Sequence, residues 1–151
     1  MSPKTLPTIS LTILLLIIAL LFVNSKRETG FVETEYVLEG KTRRVLVADT
    51  PEKWERGLMD YRKDETGITA WNSRELPEGI EGMLFVSSGK VFRAFWNKNT
   101  FLDLDLYWVS GDKVIGKSFL PSIEKSKDIV TVSSPEAVDK VVEIITGGYQ
   151  P

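Results

Sequence analysis

Two hydrophobic patterns divide the chain. Residues 6–23 form an unbroken run without charge, dominated by Leu and Ile from Leu11 onward. From residue 36 the apolar positions instead fall into short runs separated by Gly, Pro, Asn, Asp and Ser, which reads as strands and turns. Residues 36–38 and 42–48 predict two strands around a turn at Glu39-Gly40-Lys41, the second apolar and β-branched at its centre. Asp49-Thr50-Pro51-Glu52 is a helix start: Thr50 caps, Pro51 suits the first helical position, and Glu52 favours the positive helix end. The helix is expected to run to about Arg56, with Gly57 placed to stop it. Trp54, Leu58 and Met59 recur at near-helical spacing and are expected to bury. Residues 60–82 are rich in turn formers and predict a loop, tucked down by Ile68 and Trp71.

Strands dominate from Met83 onward. Residues 83–86, 91–96, 101–109, 113–119, 129–132 and 141–145 are each predicted as strands. In the third of these Leu102, Leu104 and Leu106 point one way, and Asp103, Asp105 and Tyr107 the other. Ser134-Pro135-Glu136 repeats the helix-start chemistry and predicts a helical turn at 137–139. The expected class is mainly β, a β-rich α+β domain. It is a small antiparallel barrel or sandwich of about eight strands with one or two short helices.

The run at 6–23 suits one N-terminal transmembrane helix. Eighteen helical residues reach roughly 27 Å, close to a hydrocarbon core. A cleaved signal is the competing reading, but Val23-Asn24-Ser25 is a poor small-x-small site. The chain is thus expected to comprise a tail (1–5), an anchor (6–23), a connector (24–35) and a globular domain (36–151). A single N-terminal span of this kind usually exports the domain behind it. The domain is therefore expected at the cell membrane on the outer side, or secreted if the segment is cleaved.

Composition narrows the chemistry. The chain has 19 Lys+Arg, 21 Asp+Glu, no Cys and no His. The mixed charge lacks the basic excess that drives binding to nucleic acid. Without Cys there is no disulfide, thiol nucleophile or iron–sulfur ligand. Without His there is no imidazole base and no ordinary zinc site. No cofactor is expected.

Four segments together resemble a known family. These are Val47-Ala48-Asp49-Thr50-Pro51-Glu52 with Arg56-Gly57-Leu58-Met59, then Glu81-Gly82-Met83-Leu84-Phe85-Val86, then Phe95-Trp96-Asn97-Lys98-Asn99-Thr100, then Leu104-Asp105 and its apolar run. In this order they resemble the prokaryotic family called domain of unknown function 192. The resemblance spans residues 43–148, implies the β-rich fold and fits an export signal ahead of it. It implies no activity. Asn97 stands where the family usually has Met, and Asp103 where it usually has Pro. The chain also stops soon after Gly147-Gly148, where family members often add a further strand. That predicts an open sheet edge, which a partner strand or the juxtamembrane segment would fill.

The chemical candidates are few. Asp103 and Asp105, at i and i+2 on one strand, lie roughly 7 Å apart. That spacing admits an inverting acid–base pair, part of a Ca²⁺ site, or simply the polar face of a strand. Asn97 and Asn99 suit left-handed backbone, and Lys98 is placed to pair with Asp105 or Asp49. Arg56 ends the first helix, either as an anion-binding fork or bridged to Asp49 or Glu52. Trp54 and Trp96 are expected in the core, and Trp71 on the surface. The candidate binding surface is therefore Arg56, Lys98, Asn99, Asp103 and Asp105, with no catalytic residue assigned and any metal left open. The expected function is a binding or interaction module, taking a small ligand or envelope component. The alternatives are a carboxylate-dependent hydrolase of envelope glycan, or a subunit that assembles by strand addition.

Overall fold

The computed structural model describes residues 30–62 and 74–148. Among the described residues no helix is long and apolar enough to cross a membrane. The segment 6–23 and Trp71 lie outside them.

The first strand, β1 (Val32–Leu38), turns tightly into β2 (Lys41–Ala48). Glu39 and Gly40 both have positive φ, 50° and 78°. Such a turn matches the right-handed twist of paired strands. The domain therefore starts within the expected connector, ahead of Tyr36. Helix α1 (Pro51–Arg56) forms as its sequence dictates: the Thr50 hydroxyl accepts from the Lys53 N–H and Pro51 opens the first turn. Gly57 ends it at φ 45°, a region that other residues enter only at a cost. The Gly57 N–H closes on the Lys53 carbonyl. Two two-residue strands come next, β3 (Tyr61–Arg62) and β4 (Arg74–Glu75), then β5 (Gly82–Val91), β6 (Ala94–Trp96), β7 (Leu102–Ser110) and β8 (Lys113–Leu120). The chain continues through a short helix, α2 (Ile123–Ser126), to β9 (Thr131–Ser133) and β10 (Val138–Gly148).

Among the described residues six strands form one sheet, ordered β1-β2-β5-β10-β7-β8. It is open, not a closed barrel. Nor is it wholly antiparallel, since β2 and β5 run parallel, with Val45 beside Gly82 and Ala48 beside Phe85. A parallel pair needs a crossover, and the chain between β2 and β5, which includes α1, makes it. The last strand, β10, lies between β5 and β7 at the centre of the sheet. The open edge expected beside it is therefore not found there; among the described residues the edges of this sheet are β1 and β8. The expected helical turn at 137–139 is also corrected. Pro135 and Glu136 form a bend and β10 starts at Val138, because a fully buried Val138 is drawn into the core.

Both faces of the sheet are apolar. One carries Leu46, Met83, Phe85, Leu106, Trp108 and Val141, and packs beneath Leu58 of the α1 turn and Phe95 of β6. The Phe95 ring meets Phe85 edge-on at 4.8 Å and Trp108 at 5.8 Å. The β6–β9 pair is thus a two-stranded ribbon laid over this face. The opposite face carries Val45, Leu84, Tyr107, Val109, Val142 and Ile144, joined by Leu38. Burial raises the Tyr36 hydroxyl pKa, and the charges of Lys140, Asp112 and Asp139 also act on that hydroxyl. Tyr36 of β1 packs against this face as well.

Candidate functional site

The turn between β6 and β7 is built on Asn97, which is fully buried. Its Oδ1 accepts from the Val130 N–H at 2.8 Å. Its Nδ2 donates to the Pro121 carbonyl at 2.9 Å, to Ser126 Oγ at 2.8 Å and, more weakly, to the Asp128 carbonyl at 3.4 Å. One amide thus clamps the segment containing α2 against the end of β6. Asn99 takes the expected left-handed conformation, φ 54°. Its carbonyl accepts from the Asp60 N–H at 2.9 Å. This bond brings the turn after α1, which lies just beyond Arg56, beside the turn holding Lys98 and Asn99. Lys98 is exposed with its Nζ 5.4 Å from the centre of the Trp96 ring. It pairs with neither expected carboxylate: Asp49 bonds Lys53 at 2.7 Å and Asp105 bonds Lys117 at 2.8 Å.

Asp103 and Asp105 leave the sheet on the face opposite Leu104, as the alternation predicts. Asp103 Oδ1 accepts the Ser122 N–H at 2.8 Å, and its Oδ2 pairs with Lys125 at 3.0 Å. Burial pushes its pKa up, but the Ser122 N–H and the Lys125 ammonium outweigh this and hold the carboxyl below its ordinary value. Asp105 lies opposite Phe119. Its Lys117 partner has a raised pKa, mainly through the hydrogen bond to Asp105 and then through Tyr107. Each of the two lysines also approaches an aromatic ring, Lys117 at 4.7 Å from Tyr107 and Lys125 at 5.0 Å from Phe119. The two carboxylates thus serve two separate lysines. Among the described residues no group of three or more carboxylates stands together as a metal site.

A third carboxyl, Glu143, escaped the sequence reading. It sits in β10 between Met83 and Leu106, both fully buried. Desolvation raises its pKa to about 8. One glutamate in the otherwise apolar run 141–145 was the available signal. Its carbonyl also explains a neighbouring glycine: a Cβ on Gly82 would collide with the Glu143 carbonyl oxygen.

The sequence profile of the domain of unknown function 192 family, described as Uncharacterized ACR, matches residues 33–150. The chain belongs to this family. Two solved structures share the fold. A Sinorhizobium meliloti 1021 protein, provisionally described as a transcription regulator, is 25% identical with a TM-score of 0.53; the alignment covers 78% of this chain and 84% of that one. A protein of unknown function from Novosphingobium aromaticivorans DSM 12444 is 21% identical with a TM-score of 0.52, covering 76% and 73%. No curated protein matches. The domain of unknown function 192 segments now acquire structural reasons. Thr50, Pro51 and Gly57 delimit α1, Gly82 permits close strand approach, and Asn97 to Thr100 form the clamped turn. Where the family usually carries Met, this chain buries Asn97 and satisfies it through the segment 121–130 around α2.

The structure therefore brings together the turns that carry or adjoin Arg56, Lys98 and Asn99. Asp103 is tied instead to the start of α2, and Asp105 to β8. Trp96 is corrected from core to surface: it is 48% exposed, because Phe95 takes the inward position on this short strand.

Proposed function

We propose that this protein is a membrane-anchored, outward-facing interaction module without catalytic activity. The supporting observation is the state of its two candidate carboxylates. Asp103 and Asp105 are each matched to a lysine, and Asp103 is held ionised. A general acid needs the opposite shift. The apolar segment 6–23 supports the anchor, and the exposed ring of Trp96 supports a surface made for contact. The regulator description given to the S. meliloti protein does not suit a chain of net charge −2 as a DNA binder. Strand addition is less favoured, because both open edges carry charges, Glu33 and Glu35 on β1 and Lys113 and Lys117 on β8.

The test is an assay of the domain and its Asp105→Asn variant on isolated envelope glycan. Neither should release soluble sugar, and the variant should lose less than about 1 kcal/mol of stability, as for an exposed ion pair. Hydrolysis by the natural chain that vanishes in the folded variant would establish the hydrolase instead.

A further inference from the structure

The outer side of the β6–β9 ribbon is exposed to solvent. Along β6 and the two residues before it, Arg93 and Phe95 turn towards the domain, Arg93 lying 4.4 Å from the Trp54 ring. Phe92, Ala94 and Trp96 turn outward. Across the ribbon Trp96 lies opposite Thr131. Ile129 is two residues further along the same exposed side. Phe92 is 75% exposed, Ile129 58% and Trp96 48%. Single exposed apolar residues are ordinary, but three large ones on one small ribbon are a patch that calls for a partner.

Charge and chain length identify the partner. Besides the inward Arg93, the ribbon and its flanking turns, residues 89–98 and 127–136, carry three exposed lysines (Lys90, Lys98, Lys127) against two exposed acidic residues (Asp128, Glu136), in a chain that is net negative. Aromatic and aliphatic tips ringed by lysine are the composition of a bilayer interface, where the rings sit at headgroup depth and the ammonium groups meet anionic lipid. Eight residues, 24–31, separate the apolar run from β1. Fully extended they reach at most about 28 Å. A membrane that took up residues 6–23 would therefore lie within that reach of the start of β1.

We infer that the outer side of the β6–β9 ribbon rests on the anionic headgroup layer of that bilayer, with Phe92, Trp96 and Ile129 inserted and Lys98 and Lys127 beside the phosphates. This rests on the anchored reading above. The lysines near the surface add attraction that salt weakens.

The chain has no Cys, so Phe92→Cys offers one site for an environment-sensitive fluorophore, and Val37→Cys on the exposed β1 edge offers a reference. Full-length chain carrying either label is placed in vesicles of phosphatidylcholine with phosphatidylglycerol. The label at 92 should be at least about threefold less quenched by aqueous iodide than the label at 37, and blue-shifted, as at an interface. Equal quenching at the two positions in chain that floats with the vesicles would overturn the inference and leave the anchor standing. Chain that does not float with them would remove the anchor, and the inference with it. Protection of position 92 in detergent alone, with size growing with concentration, would put a second copy on this face and also overturn it.

Discussion

Replacing Asn97 by Ala removes the acceptor of the Val130 N–H and the donor shared by the Pro121 carbonyl, Ser126 Oγ and the Asp128 carbonyl. Each buried polar group left unpaired costs on the order of 1–3 kcal/mol. Asn97→Ala should therefore lower stability by about 3 kcal/mol, measured by urea unfolding, with secondary structure retained at low denaturant. Glu143 acts in the opposite direction from an ion-paired carboxylate. Its folded form keeps the proton up to about pH 8, whereas the unfolded chain releases it near the ordinary glutamate value. The stabilising contribution is complete below that ordinary value and is lost as pH rises through about 8, at up to about 1.4 kcal/mol per pH unit. Unfolding titrations between about pH 5 and 8 should show this slope in the natural chain and not in Glu143→Gln. Asp103, with a lowered pKa, has the reverse sign. Its contribution is present above the ordinary aspartate value and is lost as pH falls through the folded one, and Asp103→Asn should flatten that acid limb.

At the scale of elements, close approach of β5 and β10 depends on Gly82. Gly82→Ala forces a Cβ into the Glu143 carbonyl oxygen and should destabilise the domain by more than about 3 kcal/mol, seen as loss of soluble protein or a collapsed melting transition. Local chemistry made some elements readable in advance. Thr50, Pro51 and Gly57 determine α1 within themselves, and the alternation from Leu102 to Leu106 determines β7. Elements decided by distant partners were not readable. Ser134-Pro135-Glu136 has helix-start chemistry, yet Val138 is captured by the core and begins a strand. Residues 123–126 form α2 because Asn97 and Asp103, 19 or more residues away in sequence, supply bonds to Pro121, Ser122 and Ser126. Trp96 reads as core by composition, but the inward position belongs to Phe95, and only the register of the ribbon reveals that.

For the molecule as a whole, the β-rich class and the family were legible, while the order of strands was not. Periodicity gives each strand its two faces, but carries no record of β10 entering between β5 and β7 or of β2 pairing parallel to β5. The candidate site was legible residue by residue and not as a group: the turns at Asn99 and Asp60 meet, whereas Asp103 and Asp105 are engaged with separate lysines. What unifies the molecule is a stable two-faced sheet carrying a ribbon with an apolar outer side, behind a segment suited to a bilayer. The most direct test of that account is alkaline carbonate extraction of membranes from cells making the full-length chain. The chain should stay in the membrane pellet, and deletion of residues 6–23 should release a folded domain to the supernatant. Release of the full-length chain by carbonate would contradict it.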